Sequence, residues 1–188
     1  MQYANQLNQL GTETAFAVSA QAQAWAKKGH KVYPFHLGDI NLATPENIVE
    51  ATLKGIRDGK TGYCPSEGIL PLRESLAHDV GIKRGVVYGS DNVSIQPGGR
   101  PTIGKFIAAI MNPGDEVLFP NPGYPIYESQ IEYQGGRSMP YGYVQTNKGF
   151  DIDLDRLKAS ITDKTVAIIY NNYQNPLSAE SSLSLIHI

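Results

Sequence analysis

Residues 92–119 read NVSIQPGGRPTIGKFIAAIMNPGDEVLF. Asn92 to Gln96 reads as a strand, and Pro97-Gly98-Gly99 as a turn. Pro101 to Met111 carries Ile103, Phe106, Ile107 and Ile110 at helical spacing. Asn112-Pro113-Gly114-Asp115 is a second turn, and Glu116 to Phe119 a second strand. A strand, a helix and a strand in this order predict a parallel pair joined by a crossover helix.

The same alternation continues downstream. Asn121 to Pro125 is an irregular loop, and a helix follows from Ile126 to Gln134, ended by Gly135-Gly136. Ser138 to Val144 is extended, and a short helix covers Leu154 to Ile161. Thr165 to Tyr170 (TVAIIY) is the strongest strand, apolar on both faces as in a buried parallel sheet. The expected fold class is therefore α/β, a doubly wound layer of three or four strands.

Upstream the chain is helical. Thr12 to Lys28 is periodic, with Phe16, Val18 and Trp25 among small alanines, and Gly29 stops it. Lys31 to Leu37 reads as extended, ending at Gly38-Asp39. Thr44 is placed to cap a second helix with Pro45 in its first turn. Ile48, Val49, Thr52, Leu53 and Ile56 form one stripe of that helix, and Gly59 ends it. A third helix runs from Leu70 to Val80, with Leu72, Leu76 and Val80 expected to face inward.

Composition narrows the function classes. The chain has 188 residues, 41% hydrophobic and 18% charged, enough to build a core. A formal net charge of −2 disfavours nucleic acid and membrane surfaces as partners, since both call for clustered positive charge. The one cysteine, Cys64, cannot pair within the chain, and the four histidines are scattered, so no metal set is expected. The N-terminus shows neither a basic region nor an apolar run of the secretory kind. The expectation is a cytoplasmic protein.

Several segments could carry chemistry. Gly98-Gly99-Arg100 joins a strand to a helix, where backbone N–H groups of the first turn and the helix dipole make an anion site. An ordinary glycine turn has the same look. Gly99 to Lys105 also has the spacing of a nucleotide-binding loop, but Phe106 stands where a Ser or Thr should hold magnesium, and Pro101 removes an amide. Thr102 and Lys105 share a helix face, a weak match to a nucleophile with a lysine.

In Asn121-Pro-Gly-Tyr-Pro-Ile-Tyr127, two prolines fix Tyr124 at the carboxyl edge of a strand, where open α/β sheets bind ligands. Its ring suits stacking on a planar group, or merely packs under the loop. Asn175-Pro176 follows the last strand at the same edge, and the Asn175 amide offers a donor and an acceptor. Tyr63 lies in a further glycine-rich loop, ahead of Arg73.

In order, these segments resemble the N-terminal half of class I/II aminotransferases, fold-type I enzymes that use pyridoxal 5′-phosphate (PLP). The residues carrying the resemblance are Tyr63 with Leu72-Arg73, Gly98-Gly99, Asn112-Pro-Gly-Asp-Glu-Val117, Asn121 to Tyr127, Ile161-Thr-Asp-Lys-Thr165 and Asn171-Asn-Tyr-Gln-Asn-Pro176. They span about Gly38 to Pro176.

The resemblance implies roles for these positions. The backbone of Gly98, Gly99 and Arg100 would bind the cofactor phosphate, and Tyr124 would stack on the pyridine ring. Asn175 would hydrogen-bond the phenolic oxygen and lie near the substrate carboxylate, beside Gly38. Tyr63 would reach the cofactor phosphate of a partner subunit, which implies a homodimer. Asn121-Pro122 and Asn175-Pro176 would be candidates for cis peptides. Residues 1–40 would be the N-terminal arm and the start of the small domain, and residues 41–176 the N-terminal part of the cofactor-binding large domain. Leu177-Ser178 departs from the family's Thr-Gly, so residues 177–188 are expected to be a truncated or non-native tail.

No residue here matches the family's Schiff-base lysine, the Asp that pairs the pyridine nitrogen or the C-terminal arginine. No catalytic residue is therefore assigned, and the chain is expected to be a fragment, inactive alone. The implied reaction moves an amino group between an amino acid and a 2-oxo acid. A fold-type I lyase breaking carbon–sulfur or carbon–carboxylate bonds, or a non-catalytic phosphate- or partner-binding remnant, shares the same features.

Overall fold

The computed structural model describes residues 2–10, 14–35, 38 and 42–181. The chain divides into two compact units, residues 19–98 and residues 1–18 with 99–188.

Helix α1 (Thr14–Ala26) is followed by Gly29 in the left-handed region at φ 87°, as its stop signal predicts. The expected start at Thr12 lies outside the described residues, as do His36, Leu37 and Asp39 of the predicted extended segment. Residues 31–35 form no strand, and Phe35 lies in a turn. Helix α2 (Glu46–Arg57) starts one residue later than predicted: Pro45 is its N-cap, and Thr44 does not cap it. It closes as expected on Gly59, with Gly59 N–H donating to Ile56 O and Lys60 N–H to Gly55 O. Its stripe does not find a core. Ile48, Leu53 and Ile56 are exposed, and no residue of α2 is buried.

Helix α3 (Leu70–Arg84) runs a turn beyond the predicted end and stops at Gly85. Its inward face also differs from the prediction. Leu72 and Leu76 are exposed and Val80 half-buried, whereas Arg73, Ala77 and Gly81 are buried. Small residues at four-residue spacing let the segment 86–93 lie close: a Cβ on Gly81 would meet Val86 O at 2.6 Å.

Arg73 holds that segment. Its Nε and Nη2 donate to Ser90 O at 3.2 and 2.9 Å, Nε also reaches Val93 O at 3.1 Å, and Nη1 meets Glu67 Oε1 at 3.3 Å. Ile95 N–H donates to Glu67 O at 2.9 Å. Asn92 to Gln96 is therefore not the predicted strand. Ser90–Asn92 is a short 3₁₀ turn, and among the described residues no strand runs beside 93–96 to form a ladder.

The other unit holds the sheet. Helix α4 (Gly99–Ile110) leads through the Asn112–Asp115 turn into β1 (Glu116–Pro120). Asp115 Oδ2 accepts from Asn112 N–H at 2.7 Å, which closes that turn. Helix α5 (Ile126–Tyr133) crosses to β2 (Arg137–Tyr141). A hairpin of β3 (Tyr143–Thr146) and β4 (Gly149–Ile152), α6 (Leu154–Ala159) and β5 (Thr165–Ile168) complete the order. The main sheet is β2-β1-β5, parallel throughout, and β3-β4 is a separate antiparallel pair.

Central strand β1 is buried along its whole length. Its alternate residues serve two cores. Val117 and Phe119 meet Ile107, Met111, Tyr127 and Ile131 of α4 and α5. Leu118 meets Tyr141 and Ile152, with Leu154 and Leu157 of α6. Helices thus cover both faces of β1, as the doubly wound prediction requires. The last strand is less buried than its composition implies: Ala167 and Ile169 pack on the α4–α5 core, while Val166 and Ile168 are exposed.

Candidate functional site

The carboxyl ends of β1 and β5 lie side by side, since these strands pair in parallel. Two loops leave this edge, residues 121–125 after β1 and residues 169–176 after β5. The peptide bonds Asn121-Pro122 and Asn175-Pro176 are both cis, as expected for this pair.

The 121–125 loop is tightly folded. Asn121 N–H donates to Tyr141 O at 2.9 Å, and a Cβ on Gly123 would collide with Pro120 O. Tyr124 is half-buried against the α4–α5 core, edge-on to Tyr127 with ring centroids 5.7 Å apart at 89°. Arg100 Nε donates to the Tyr124 hydroxyl at 2.9 Å. The guanidinium of the first turn of α4 therefore fixes the far end of the ring. Sequence reasoning assigned Arg100 only a backbone role, and the 24-residue separation left nothing to suggest this bond.

Gly99 opens α4, and Gly98 precedes it at φ 107°, where a side chain is strained. A Cβ on either glycine would meet no atom within 4 Å. Gly98 N–H donates to Gln96 O at 2.8 Å, and the helix start adds the positive end of the dipole and open space around both glycines. That set fits a phosphate. With a phenol ring fixed one loop away, it fits a planar aromatic phosphate such as PLP. Lys105 and Thr102 lie on α4 and both have partners, and Phe106 is exposed, so nothing there completes a magnesium site.

Asn175 is exposed at the second loop. The residue before it was not singled out by sequence reasoning. Gln174 is 1% exposed, and its Nε2 donates to Pro122 O and to Asn175 O, both at 2.7 Å. Its Oε1 accepts from Leu177 N–H at 2.9 Å.

Tyr63 and Gly38 belong to residues 19–98. Tyr63 is fully exposed, and a Cβ on Gly38 would meet nothing within 4 Å. Cys64 is exposed and free. Among the described residues no group of His, Cys, Asp or Glu could hold a metal ion, and no helix is long and apolar enough to cross a membrane.

Burial tunes the phenols below the edge. Tyr141 is driven far above the ordinary phenol value by loss of hydration, with Tyr143 beside it, and donates to Ile169 O at 2.8 Å. Burial also raises Tyr127 and Tyr143. These groups stay neutral and structural, and none is tuned toward proton transfer near neutral pH.

Residues 31–186 match the family described as aminotransferase class I and II. The chain is 32% identical over 176 residues to a probable aspartate/prephenate aminotransferase of Aquifex aeolicus, covering 94% of this chain and 44% of that protein. It is 35% identical over 162 residues to a (5-formylfuran-3-yl)methyl phosphate transaminase of Methanocaldococcus jannaschii, covering 85% and 41%. Among solved structures, an alanine aminotransferase from Pyrococcus furiosus superposes with a TM-score of 0.91 at 28% identity, over 99% of this chain and 48% of that one. The chain spans about half the length of these relatives.

Proposed function

The chain belongs to the class I and II aminotransferases, and from that premise we propose that it supplies the phosphate-holding and ring-holding part of a PLP site. The reaction served is transfer of an amino group between an amino acid and a 2-oxo acid. The observation that carries the reading is the pairing of an open glycine helix start with a tyrosine ring fixed by Arg100. When bound, the cofactor supplies a carbon that carries the amino group and a ring that draws electrons from the substrate α-carbon.

This chain's residues have binding and orienting tasks. The amides of Gly99 and Arg100 are assigned to the phosphate, aided by the α4 dipole, with Gly98 shaping the approach while its own N–H donates to Gln96 O at 2.8 Å. Tyr124 offers its ring face, and its hydroxyl bond to Arg100 limits tilt. Asn175 donates its side-chain amide to the phenolic oxygen and lies near the substrate carboxylate. Gly38 is assigned to substrate binding by the family pattern. Tyr63 reaches the phosphate in a second subunit, and its full exposure is compatible with a homodimer. No proton-transferring residue is assigned to this chain. We retain residues 1–40 as arm and small-domain start, 41–176 as the N-terminal part of the large domain, and a cytoplasmic location.

The test uses pyridoxamine 5′-phosphate, whose amine cannot form adventitious imines with surface lysines. Equilibrium dialysis of the 188-residue chain is expected to show one site that inorganic phosphate displaces. Absence of saturable binding, or binding that phosphate leaves unchanged, contradicts the reading.

A further inference from the structure

We propose that Gln174 is a positioning residue: it ties the loop that carries Tyr124 to the loop that carries Asn175, and so sets the spacing of the two groups assigned to the cofactor ring. The inference rests on the reading above and concerns a residue that reading does not use.

Gln174 is nearly sealed from solvent, in a loop that is otherwise largely exposed. A buried amide needs partners for both its donor and its acceptor ends. Gln174 meets that need across 52 residues of sequence. Both hydrogens of Nε2 are used, one on Pro122 O and one on Asn175 O, while Oε1 receives Leu177 N–H. Its own backbone is held as well: its N–H donates to Ala179 O at 3.0 Å, and its carbonyl accepts from Ser178 N–H at 2.6 Å.

The two acceptors occupy informative places. Pro122 O lies two residues before Tyr124, and Asn175 O belongs to the candidate ligand itself. One NH₂ group therefore fixes the main chain of both loops at a single point, at the carboxyl edge between β1 and β5. The phosphate end is assigned instead to the start of α4, whereas the side-chain hydrogen bonds of Gln174 go to Pro122, Asn175 and Leu177. Loss of the tether should therefore harm recognition of the ring and spare recognition of the phosphate. A general packing role would harm both or neither.

The experiment compares two probes on the 188-residue chain. Gln174→Met keeps length and burial but removes every side-chain hydrogen bond. Gln174→Glu keeps shape and turns a donor toward two carbonyl oxygens into a carboxylate. We expect about tenfold weaker binding of pyridoxamine 5′-phosphate for Met and a larger loss for Glu. Inorganic phosphate should bind within twofold of wild type in both. Hydrogen exchange supplies a ligand-independent reading: the Tyr127 amide, bonded to Tyr124 O, should exchange faster in both variants, while β1 amides stay protected.

Unchanged pyridoxamine phosphate affinity, or an equal loss for inorganic phosphate, overturns the tether. If wild type binds neither probe, the cofactor reading fails. The tether then stands or falls on the exchange at Tyr127 alone.

Discussion

The two units are built on opposite principles. Around β1, burial is largely apolar: Val117, Leu118, Ile131 and Tyr141 are fully enclosed, shared between two cores, while the buried carboxylate of Glu116 at the strand's start is held by Thr162 and Arg137. Among the described residues of 19–98 the buried positions are Gly68, Arg73, Ala77 and Gly81, one cation and three small residues. That unit is organised by hydrogen bonds converging on Arg73, and the apolar stripe of α2 stays open to solvent. Hydrophobic pattern and burial therefore coincide in the sheet unit and part company in the helical one. The cofactor-binding assignments follow the same division. Tyr124 and Arg100 belong to the unit with the apolar core, whereas Tyr63 is exposed on the unit held by polar contacts.

Substitution tests this contrast most sharply. Ile131→Ala empties a site between α5 and β1 and should cost about 2–5 kcal/mol. Leu53→Ala, equally apolar but on the open stripe of α2, should stay within about 0.5 kcal/mol. Urea unfolding followed by hydrogen exchange assigns each loss to its unit. Comparable losses at the two sites would erase the distinction.

The next effect is expected at Arg73. Arg73→Met removes the guanidinium donors from Val93 O and from Ser90 O, which keeps the Val93 N–H, at a cost of about 1–3 kcal/mol. Faster exchange of the Ile95 amide, which is bonded to Glu67 O, is the expected sign. The amides of β1 should not respond. If they do, the two parts are less separable than their cores suggest.

Acidity should divide the units more gently, in opposite directions. Glu67 lies below the ordinary carboxylate value because backbone and Ser66 hydrogen bonds favour its charged form, helped by Arg73. Its contribution is present above the ordinary value of 4.5 and is lost as pH falls through the lowered folded value. The buried phenols Tyr127, Tyr141 and Tyr143 have raised values. Their unfolded counterparts lose protons near pH 10, so the sheet unit should weaken as pH rises above about 10. Phenolate absorbance, read beside exchange at each unit, checks both limits.

Much of this was legible in the sequence where local signals and tertiary packing agree. The order α4, β1, α5, β2 follows from helical stripes, the Asn112–Asp115 turn and the Gly135 stop. The ordered motifs also pointed to the family before any coordinates. What misled was pattern without a partner. Val93 and Ile95 look like strand residues, yet no neighbouring strand runs beside them. Leu72, Leu76 and Val80 mark a plausible inward face of α3, but Arg73, Ala77 and Gly81 have the same spacing and win, because Arg73 finds Glu67 and two loop carbonyls. The β3-β4 hairpin was not anticipated, since the extended reading stopped at Val144, although Asn147-Lys148-Gly149 offered a turn signal. Gln174 and the Arg100–Tyr124 bond were beyond reach, since each depends on partners tens of residues away.

The central claim is that the phosphate is held by the main chain at the start of α4, with Arg100 acting on the Tyr124 ring. Pyridoxamine 5′-phosphate affinity of Gly99→Val and Arg100→Ala, measured side by side by equilibrium dialysis, addresses it directly. A valine side chain at Gly99 fills the open space before the first-turn amides, so that variant should lose about a hundredfold in affinity. Arg100→Ala leaves amides and dipole intact and removes the bond to the Tyr124 hydroxyl, so its loss should be about tenfold or less. Abolished binding in Arg100→Ala with wild-type affinity in Gly99→Val would mean that a side-chain charge holds the phosphate, and would contradict the account.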